Sequence, residues 1–143
     1  MFLSGEFKIS SKLDENKILT ADTWNYNVNI FLNKNEKNQE WLFKYHPSKD
    51  AYTIASVYDP RIVLALNVLG DPENVVVSSF AGNIIEQFWK LEQNPDGYFI
   101  IKSAKNENLV IDIQRNDPSN ENNIKVYQRK YSNNSNQKFK FSK

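Results

Sequence analysis

Short apolar runs alternate with polar turn segments along the whole chain. The runs are four to six residues long and rich in Val, Ile, Phe, Tyr and Trp, and the segments between them carry turn signals such as Asp59-Pro60. No segment sustains the 3.6-residue apolar period of a core helix. The pattern predicts an all-β fold of about twelve strands. They are expected near residues 6–11, 17–21, 28–32, 40–45, 51–56, 62–66, 75–79, 87–91, 98–103, 109–113, 124–128 and 138–142. Residues 84–89 are also compatible with a helical turn.

The same features recur three times in the same order. A Gln-x-aromatic triplet occurs at residues 39–41, 87–89 and 137–139, at intervals of 48 and 50 residues. A five-residue run that starts with Phe or Tyr and ends in Ser opens each unit, and a second apolar run begins seven residues after that serine. This self-similarity indicates one domain built from three units. We predict a single domain over residues 1–143, with repeats at about 5–49, 50–96 and 97–143.

The repeated triplets resemble those of the ricin-B-type lectins, and the resemblance covers essentially the whole chain. The third unit adds Val110-Ile111-Asp112-Ile113 and Asn136-Gln137-Lys138-Phe139 to the likeness. The resemblance implies a β-trefoil, an all-β fold with internal threefold pseudo-symmetry. Residues 16–19 and 27–31 and the Asn-rich loops resemble more closely the haemagglutinin light components that accompany clostridial neurotoxins. Together, these two resemblances imply a non-catalytic, secreted, cell-binding subunit or domain of a toxin or haemagglutinin assembly.

The third repeat carries the polar groups that the family uses for a sugar. In the family, an Asp follows the apolar pair of the second strand, an aromatic platform lies on the third strand, and an Asn precedes the triplet. Asp112, Tyr127 and Asn136 match these positions. A carboxylate accepts hydrogen bonds from vicinal hydroxyls, and a ring covers the apolar C–H face of a hexose. The resemblance implies galactose or N-acetylgalactosamine on cell-surface glycans as the ligand. The full candidate site is Asp112, Gln114, Lys125, Tyr127, Asn136 and Gln137.

Strand alternation gives an independent prediction for part of this site. With Ile124 and Val126 pointing inward, Lys125 and Tyr127 must point outward together. Taken alone, Asp112 is also compatible with a turn carboxylate, and Tyr127 with an ordinary strand residue. We expect the Asp112 carboxylate to be exposed, so that Asp112→Ala would abolish galactoside binding and leave the fold intact. Gln is common in the family at the position of Lys125, and this departure leaves an acidic sugar open as the ligand.

The first repeat keeps part of the same set. Asn38 precedes its triplet and Phe31 is expected to point outward as a platform, but Thr20 replaces the Asp. The nearest carboxylate is Asp22. We predict a partial or altered second site formed by Asp22, Phe31 and Asn38.

The second repeat has lost the set, since Ala65 replaces the Asp and Glu86 precedes the triplet. No sugar site is expected there. Gln39 and Gln87 stand beside rings that are expected to be buried. They are therefore predicted to satisfy backbone groups in the core.

Composition excludes several other functions. Lys plus Arg (18) nearly balances Asp plus Glu (17), so nucleic acid is not an expected partner. The chain has no cysteine, and its one histidine, His46, is expected in a surface loop before Pro47, so no cofactor, metal site or catalytic residue is predicted. Arg129 and Lys130 are expected to be solvated strand-end charges. No apolar run is long enough to span a bilayer, and the first residues lack a signal-peptide pattern.

A second hypothesis comes from a different functional class. The domain could be a structural adaptor that contacts other toxin-complex subunits and retains only a vestigial sugar site. Exposed Trp24, Phe31 or Phe80 would then belong to an interface. An enzyme is the least supported reading, because the sequence contains no recognisable catalytic constellation.

Overall fold

The computed structural model describes residues 2–67 and 70–143. This part of the chain contains twelve β-strands and four short 3-10 turns, which confirms the predicted all-β fold. The strands are β1 (Gly5–Ser11), β2 (Lys17–Ala21), β3 (Val28–Leu32), β4 (Trp41–His46), β5 (Ala51–Ser56), β6 (Ile62–Leu66), β7 (Val75–Ser79), β8 (Trp89–Gln93), β9 (Phe99–Ser103), β10 (Leu109–Ile113), β11 (Asn122–Gln128) and β12 (Phe139–Ser142). The 3-10 turns are Lys37–Gln39, Ile85–Gln87, Gln114–Asn116 and Ser135–Gln137.

Six strands close into a barrel, and the other six form three hairpins attached to it. The barrel ring runs β1, β4, β5, β8, β9 and β12, and β12 pairs back with β1, all antiparallel. The hairpins β2–β3, β6–β7 and β10–β11 join the barrel through β1, β5 and β9. Four strands repeated three times in this way form a β-trefoil. Closure of the barrel pairs both edges of each of its strands.

The aromatic residue of each Gln-x-aromatic triplet lies in the core. Trp41, Trp89 and Phe139 are fully buried. The indole Nε1 of Trp41 donates to the carbonyl oxygen of Leu19 at 3.0 Å, and that of Trp89 to Leu64 at 3.0 Å. Each indole therefore satisfies its single donor inside the protein while tying a barrel strand to a hairpin strand.

The strands that carry these rings begin later than the sequence predicted. β4, β8 and β12 start at the aromatic residue itself, because a 3-10 turn occupies the positions just before it. In the second repeat, the turn Ile85–Gln87 agrees with the helical alternative for residues 84–89. The turn changes the direction of the chain at each Gln, so that its side chain faces backbone groups of the neighbouring hairpin.

The expectation of a loop histidine was wrong. His46 is the last residue of β4 and is half-buried, with Nε2 2.8 Å from Thr53 Oγ1. Its ring packs edge-on against Phe88 at 5.3 Å between centroids. Burial lowers the pKa of His46, and the charges of Lys44 and Lys49 lower it further.

Three asparagine side chains form a closed ring where the hairpins meet. Asn27 Nδ2 donates to Asn123 Oδ1 at 2.9 Å, Asn123 Nδ2 to Asn74 Oδ1 at 2.5 Å, and Asn74 Nδ2 to Asn27 Oδ1 at 2.9 Å. Each asparagine immediately precedes a buried Val or Ile in its repeat. The ring joins all three repeats, and it was not predicted from the sequence.

Candidate carbohydrate-binding site

The hairpin β10–β11 provides the frame of the site in the third repeat. Its register places Asp112 opposite Lys125 and Val110 opposite Tyr127. The intervening residues of both strands are fully buried, so these two pairs share the outer face of the hairpin. A shallow cavity of about 240 Å³ lies on this face. Its lining residues are Asp112, Arg115, Asn116, Lys125, Tyr127, Lys130 and Asn136.

Asp112 is buried, contrary to the expectation of an exposed carboxylate. Its exposed fraction is 3%, because the segment from Lys130 to Gln137 folds over the hairpin. Gln137 Nε2 donates to Asp112 Oδ2 at 3.0 Å. Burial raises the pKa of Asp112, although hydrogen bonds from Gln137 and Asn136 and the charges of Lys130 and Lys125 act in the opposite direction. A buried carboxylate held in this way is a fixed acceptor at the floor of the cavity.

Gln137 has no exposed surface, and all its contacts are internal. Besides Asp112, its Nε2 donates to the carbonyl oxygen of Gln128 at 3.1 Å, and its Oε1 accepts from the backbone N–H of Lys130 at 2.9 Å. Gln137 therefore orients Asp112 and closes the loop, and it does not line the cavity as a sugar contact would.

The corresponding glutamines of the other repeats make the same backbone contacts. Gln39 accepts from the N–H of Lys34 at 2.8 Å and donates to Leu32 O at 2.9 Å. Gln87 accepts from the N–H of Ala81 at 2.9 Å and donates to Ser79 O at 2.7 Å. Their predicted role, satisfying backbone groups of the core, is confirmed.

Asn136 lies in the 3-10 turn Ser135–Gln137 and lines the cavity. It is buried, and its Nδ2 donates to Ile113 O at 3.2 Å. Its Oδ1 is buried and has no hydrogen-bond partner among the described residues. An unpaired buried acceptor costs about 1–3 kcal/mol, so the side chain gains from any donor that reaches it.

Tyr127 presents an aromatic surface on the rim, as the strand alternation predicted. Its exposed fraction is 47%. Lys125, also outward, places its Nζ 4.8 Å from the centroid of the Tyr127 ring, which is a cation–π distance. The two side chains together form one wall of the cavity.

Three residues of the cavity were missed by the sequence analysis: Arg115, Asn116 and Lys130. Arg115 and Asn116 have left-handed backbones, with φ of 60° and 55°, which turn the chain back over Asp112. Lys130 was interpreted as a solvated strand-end charge. The signal for it lay in the first repeat, where Lys34 occupies the same place and its backbone also donates to the triplet glutamine.

Gln114 and Arg129 both lie outside the cavity. Gln114 is half-buried and does not line the cavity, and its carbonyl oxygen accepts from Asn122 Nδ2 at 2.8 Å. Arg129 is not a solvated strand-end charge, because both its terminal nitrogens donate to the carboxylate of Glu92.

The first repeat places Thr20, Asn29 and Phe31 at the register positions of Asp112, Lys125 and Tyr127. Asn38 Nδ2 donates to Ala21 O at 2.9 Å, as Asn136 does to Ile113. Phe31 is half-buried, so it is a weaker candidate for an exposed platform or interface than the sequence suggested.

The carboxylate of Asp22 serves the turn that follows it. It accepts from the backbone N–H of Trp24 at 2.8 Å and of Asn25 at 3.4 Å. Asp22 therefore does not replace Asp112 in the geometry of the first repeat, where the buried polar group opposite Thr20 is Asn29. Asn29 was not considered as a site residue, although its Oδ1 has no partner among the described residues.

The second repeat offers neither a carboxylate nor a ring at these positions. Ala65 pairs with Val76, and Val63 pairs with Ser78. Glu86, which precedes the triplet, is engaged by Lys105 Nζ at 2.8 Å.

A larger cavity of about 850 Å³ lies beside the β4–β5 and β8–β9 connections. Its charged groups already have partners: Glu107 pairs with Lys90 at 3.5 Å and with Lys102 at 3.4 Å, and the Tyr45 hydroxyl donates to Asp50 at 2.5 Å. The smaller cavity around Asp112 combines unpaired polar groups with an exposed ring, and it is the better candidate site.

The sequence matches the family described as "Ricin-type beta-trefoil lectin domain-like" over residues 37–128. The chain belongs to this family. Carbohydrate binding is the function class that the lectin family supports. Within the described ranges 2–67 and 70–143, no helix is long and apolar enough to cross a membrane. The same ranges contain no group of three or more His, Cys, Asp or Glu residues arranged to hold a metal ion.

Proteins similar to this lectin-type domain include pierisin, a mosquitocidal holotoxin and a sugar-bound lectin. Pierisin from Pieris brassicae is 32% identical over 76 residues, which cover 52% of this chain and 9% of pierisin. A mosquitocidal holotoxin superposes with a TM-score of 0.89 and 28% identity, over 99% of this chain and 16% of the toxin chain. The Macrolepiota procera ricin B-like lectin in complex with lactose superposes with a TM-score of 0.80 and 14% identity, over 100% and 98% of the two chains. This chain spans only a small part of pierisin and of the holotoxin chain. The likeness to clostridial haemagglutinin components stays a prediction.

Proposed function

We propose that this domain is a lectin whose third repeat binds a terminal galactose-type sugar. The observation that carries the proposal is the pairing of a buried, oriented carboxylate with an exposed ring in one shallow cavity. Asp112 supplies the acceptor, Tyr127 supplies the apolar surface, and Asn136 supplies an amide whose Oδ1 has no partner in the described structure.

The chemistry of the cavity matches the two sides of a galactose ring. The Asp112 carboxylate accepts hydrogen bonds from vicinal hydroxyls, and charge-assisted bonds of this kind are stronger than neutral ones. An axial 4-hydroxyl leaves one continuous apolar C–H face, which suits the exposed face of Tyr127. The presence of lactose, a galactoside, in the Macrolepiota procera lectin supports this choice of sugar.

The role we infer is that of a cell-binding module within a toxin. Pierisin and the mosquitocidal holotoxin are both much longer than this chain, which corresponds to 9% and 16% of their lengths. One shallow site binds a monosaccharide at about millimolar strength, roughly −4 kcal/mol. Several sites or several copies would then be needed for useful avidity on a glycan-bearing cell surface. The module would act outside the producing cell and without catalysis.

The test is an NMR titration of the labelled domain with galactose, N-acetylgalactosamine and lactose, with glucose as the matched control. We expect amide shifts around Asp112, Tyr127 and Asn136, and smaller or no shifts at Ala65 and Ser78 in the second repeat. Equal responses to galactose and glucose, or shifts confined to other surfaces, would contradict the proposal.

The adaptor alternative rests on one observation, the exposure of aromatic side chains outside the cavity. Trp24 is 93% exposed at the turn between β2 and β3, and Phe80 is 45% exposed. Aromatic anchors of this kind are frequent in protein interfaces. A glycan array that gives no signal, together with a stable complex with another toxin subunit that Trp24→Ala disrupts, would favour the adaptor.

A further inference from the structure

The cavity around Asp112 has an excess of positive charge that a neutral sugar would not use. Arg115, Lys125 and Lys130 line it together with a single carboxylate. In the described ranges, none of these three cations forms an ion pair. Elsewhere on the surface, Lys102 contacts two carboxylates and Lys138 contacts Asp96 at 2.7 Å. Of the nine Lys and Arg side chains that form no ion pair in the described ranges, three therefore line this one small cavity.

The scaffold does not require a cation at the position of Lys125. The same register position is Asn29 in the first repeat and Val76 in the second, and both hairpins keep the pairing of β10–β11. The lysine is thus a local feature of the third repeat. Its Nζ lies over the Tyr127 ring, next to the surface on which a sugar would stack.

Asp112 cannot be the partner that explains all three cations. It is one charge, it is 3% exposed, and it already accepts from Gln137. Its carboxylate would also repel an anionic group placed directly on it. An anion can therefore be accommodated only at the rim of the cavity, where the lysines and Arg115 are, with the neutral hydroxyls of the sugar on Asp112.

We propose that the third-repeat site selects galactose-type sugars that carry an anionic substituent, either a sulfate ester or a carboxylate, and that Lys125 is the residue that sets this preference. The inference rests on the proposed sugar site. To that site it adds the charge of the preferred sugar and the residue, Lys125, that recognises this charge. Exposed ion pairs are each worth a few-fold in affinity, so two or three cations give an advantage of about three- to thirtyfold over the neutral sugar at low salt.

The experiment compares the dissociation constants of lactose, a sulfated lactose and sialyllactose by NMR titration or calorimetry. The readout is the affinity ratio, which is the dissociation constant of lactose divided by that of the anionic ligand. It is measured at about 0.05 M and about 0.5 M salt, because the screening length shortens from about 14 Å to about 4 Å between them. We expect a ratio above three at low salt that falls toward one at high salt. The sulfated and sialylated arms identify whether sulfate or carboxylate is the preferred source of the charge.

Two charge-removing variants show whether the preference for anionic sugars comes from the cavity itself or from the net charge of the protein. Lys125→Gln should bring the ratio close to one, whatever happens to the affinity for lactose itself. Lys44→Gln removes the same charge from an exposed position on β4 and should leave the ratio unchanged. Inorganic sulfate alone should not compete with lactose, since the sugar hydroxyls are needed to place the anion.

The outcomes distinguish this inference from the proposed function. Lactose that binds in the cavity with a ratio of one would overturn the anionic preference and leave the lectin proposal standing. A preference that survives in Lys125→Gln would overturn the role of that residue. Failure of every sugar, neutral or anionic, to bind would overturn both.

Discussion

The outer face of the third-repeat hairpin presents Asp112, Lys125 and Tyr127, and the first repeat presents Thr20, Asn29 and Phe31 in the same register. The triplet glutamine and the asparagine that precedes it make equivalent backbone contacts in both repeats. The contacts that build the fold are therefore shared, while the outward positions vary freely. Charge distinguishes the two faces most clearly: the first repeat is neutral where the third has a buried carboxylate opposite a lysine.

The largest effect is expected from removing that carboxylate charge. Asp112→Asn keeps the size of the side chain and an acceptor for Gln137, so the fold should be as stable as the wild type or more stable, as the neutral Thr20 of the first repeat indicates. Galactoside affinity should fall by at least about tenfold, because hydrogen bonds to a charged acceptor are lost. Titration and thermal unfolding measure the two quantities separately. Unchanged affinity would remove Asp112 from the site.

Asp112→Ala does not test the sugar contact alone, although the sequence suggested that it would leave the fold intact. It would leave Gln137 Nε2 with one acceptor fewer in the core, so part of any loss of binding would come from the loop that Gln137 holds.

Gln39→Ala and Gln87→Ala test the shared part of the comparison. Each leaves a backbone N–H and a backbone carbonyl without their side-chain partner, and each should cost about 1–3 kcal/mol of unfolding free energy. Galactoside binding by the folded third repeat should not change. Gln93→Ala, at an exposed position, is the control and should be within about 0.5 kcal/mol of the wild type. Similar stabilities for all three variants would contradict the structural role.

Tyr127→Ala tests the exposed ring. We expect a loss of galactoside affinity of about three- to tenfold, since a stacked ring is worth about 0.5–1.5 kcal/mol, with little change in unfolding temperature. Phe31→Ala in the first repeat should leave the affinity for galactosides unchanged. A loss on Phe31→Ala equal to that on Tyr127→Ala would show that the first repeat also binds.

Acidification should change galactoside binding least of all near neutral pH, and the loss of binding should grow as the pH is lowered further. The pKa of Asp112 is raised above 3.8 by burial, and sugar binding needs the charged form. Binding should therefore weaken as the pH falls through this raised pKa, earlier than for an ordinary Asp. The sign for stability is the reverse: the folded protein is penalised by the buried charge at higher pH, and protonation relieves that penalty. Titrations of Asp112→Asn, whose residual binding should lack this pH dependence, provide the control.

Most of the fold could be predicted because its signals are local. Alternation of apolar and polar residues located the strands, and six of the twelve have the predicted bounds. The other six strands differ from their predicted bounds by one or two residues. Three of these begin at the triplets, where a 3-10 turn serves the glutamine side chain instead of continuing the strand. Strand propensity does not contain that requirement.

The candidate site could be predicted only in part. Tyr127 and Lys125 followed from alternation within one strand. The burial of Asp112 depends on a loop eighteen to twenty-five residues later in the chain, which no local pattern describes. Arg115 lines the cavity because its backbone is left-handed, and an Arg in the sequence does not predict that conformation. The asparagine ring was not predicted because Asn is abundant throughout the chain. Its three members nevertheless occur at intervals of 47 and 49 residues, close to the repeat length.

That ring has a consequence for how the domain comes apart. Each amide donates to one neighbour and accepts from the other, so the departure of any one hairpin leaves two amides of the remaining hairpins with a broken bond. Partial melting of a single repeat is therefore penalised by its two neighbours, and the three repeats should unfold as one cooperative unit.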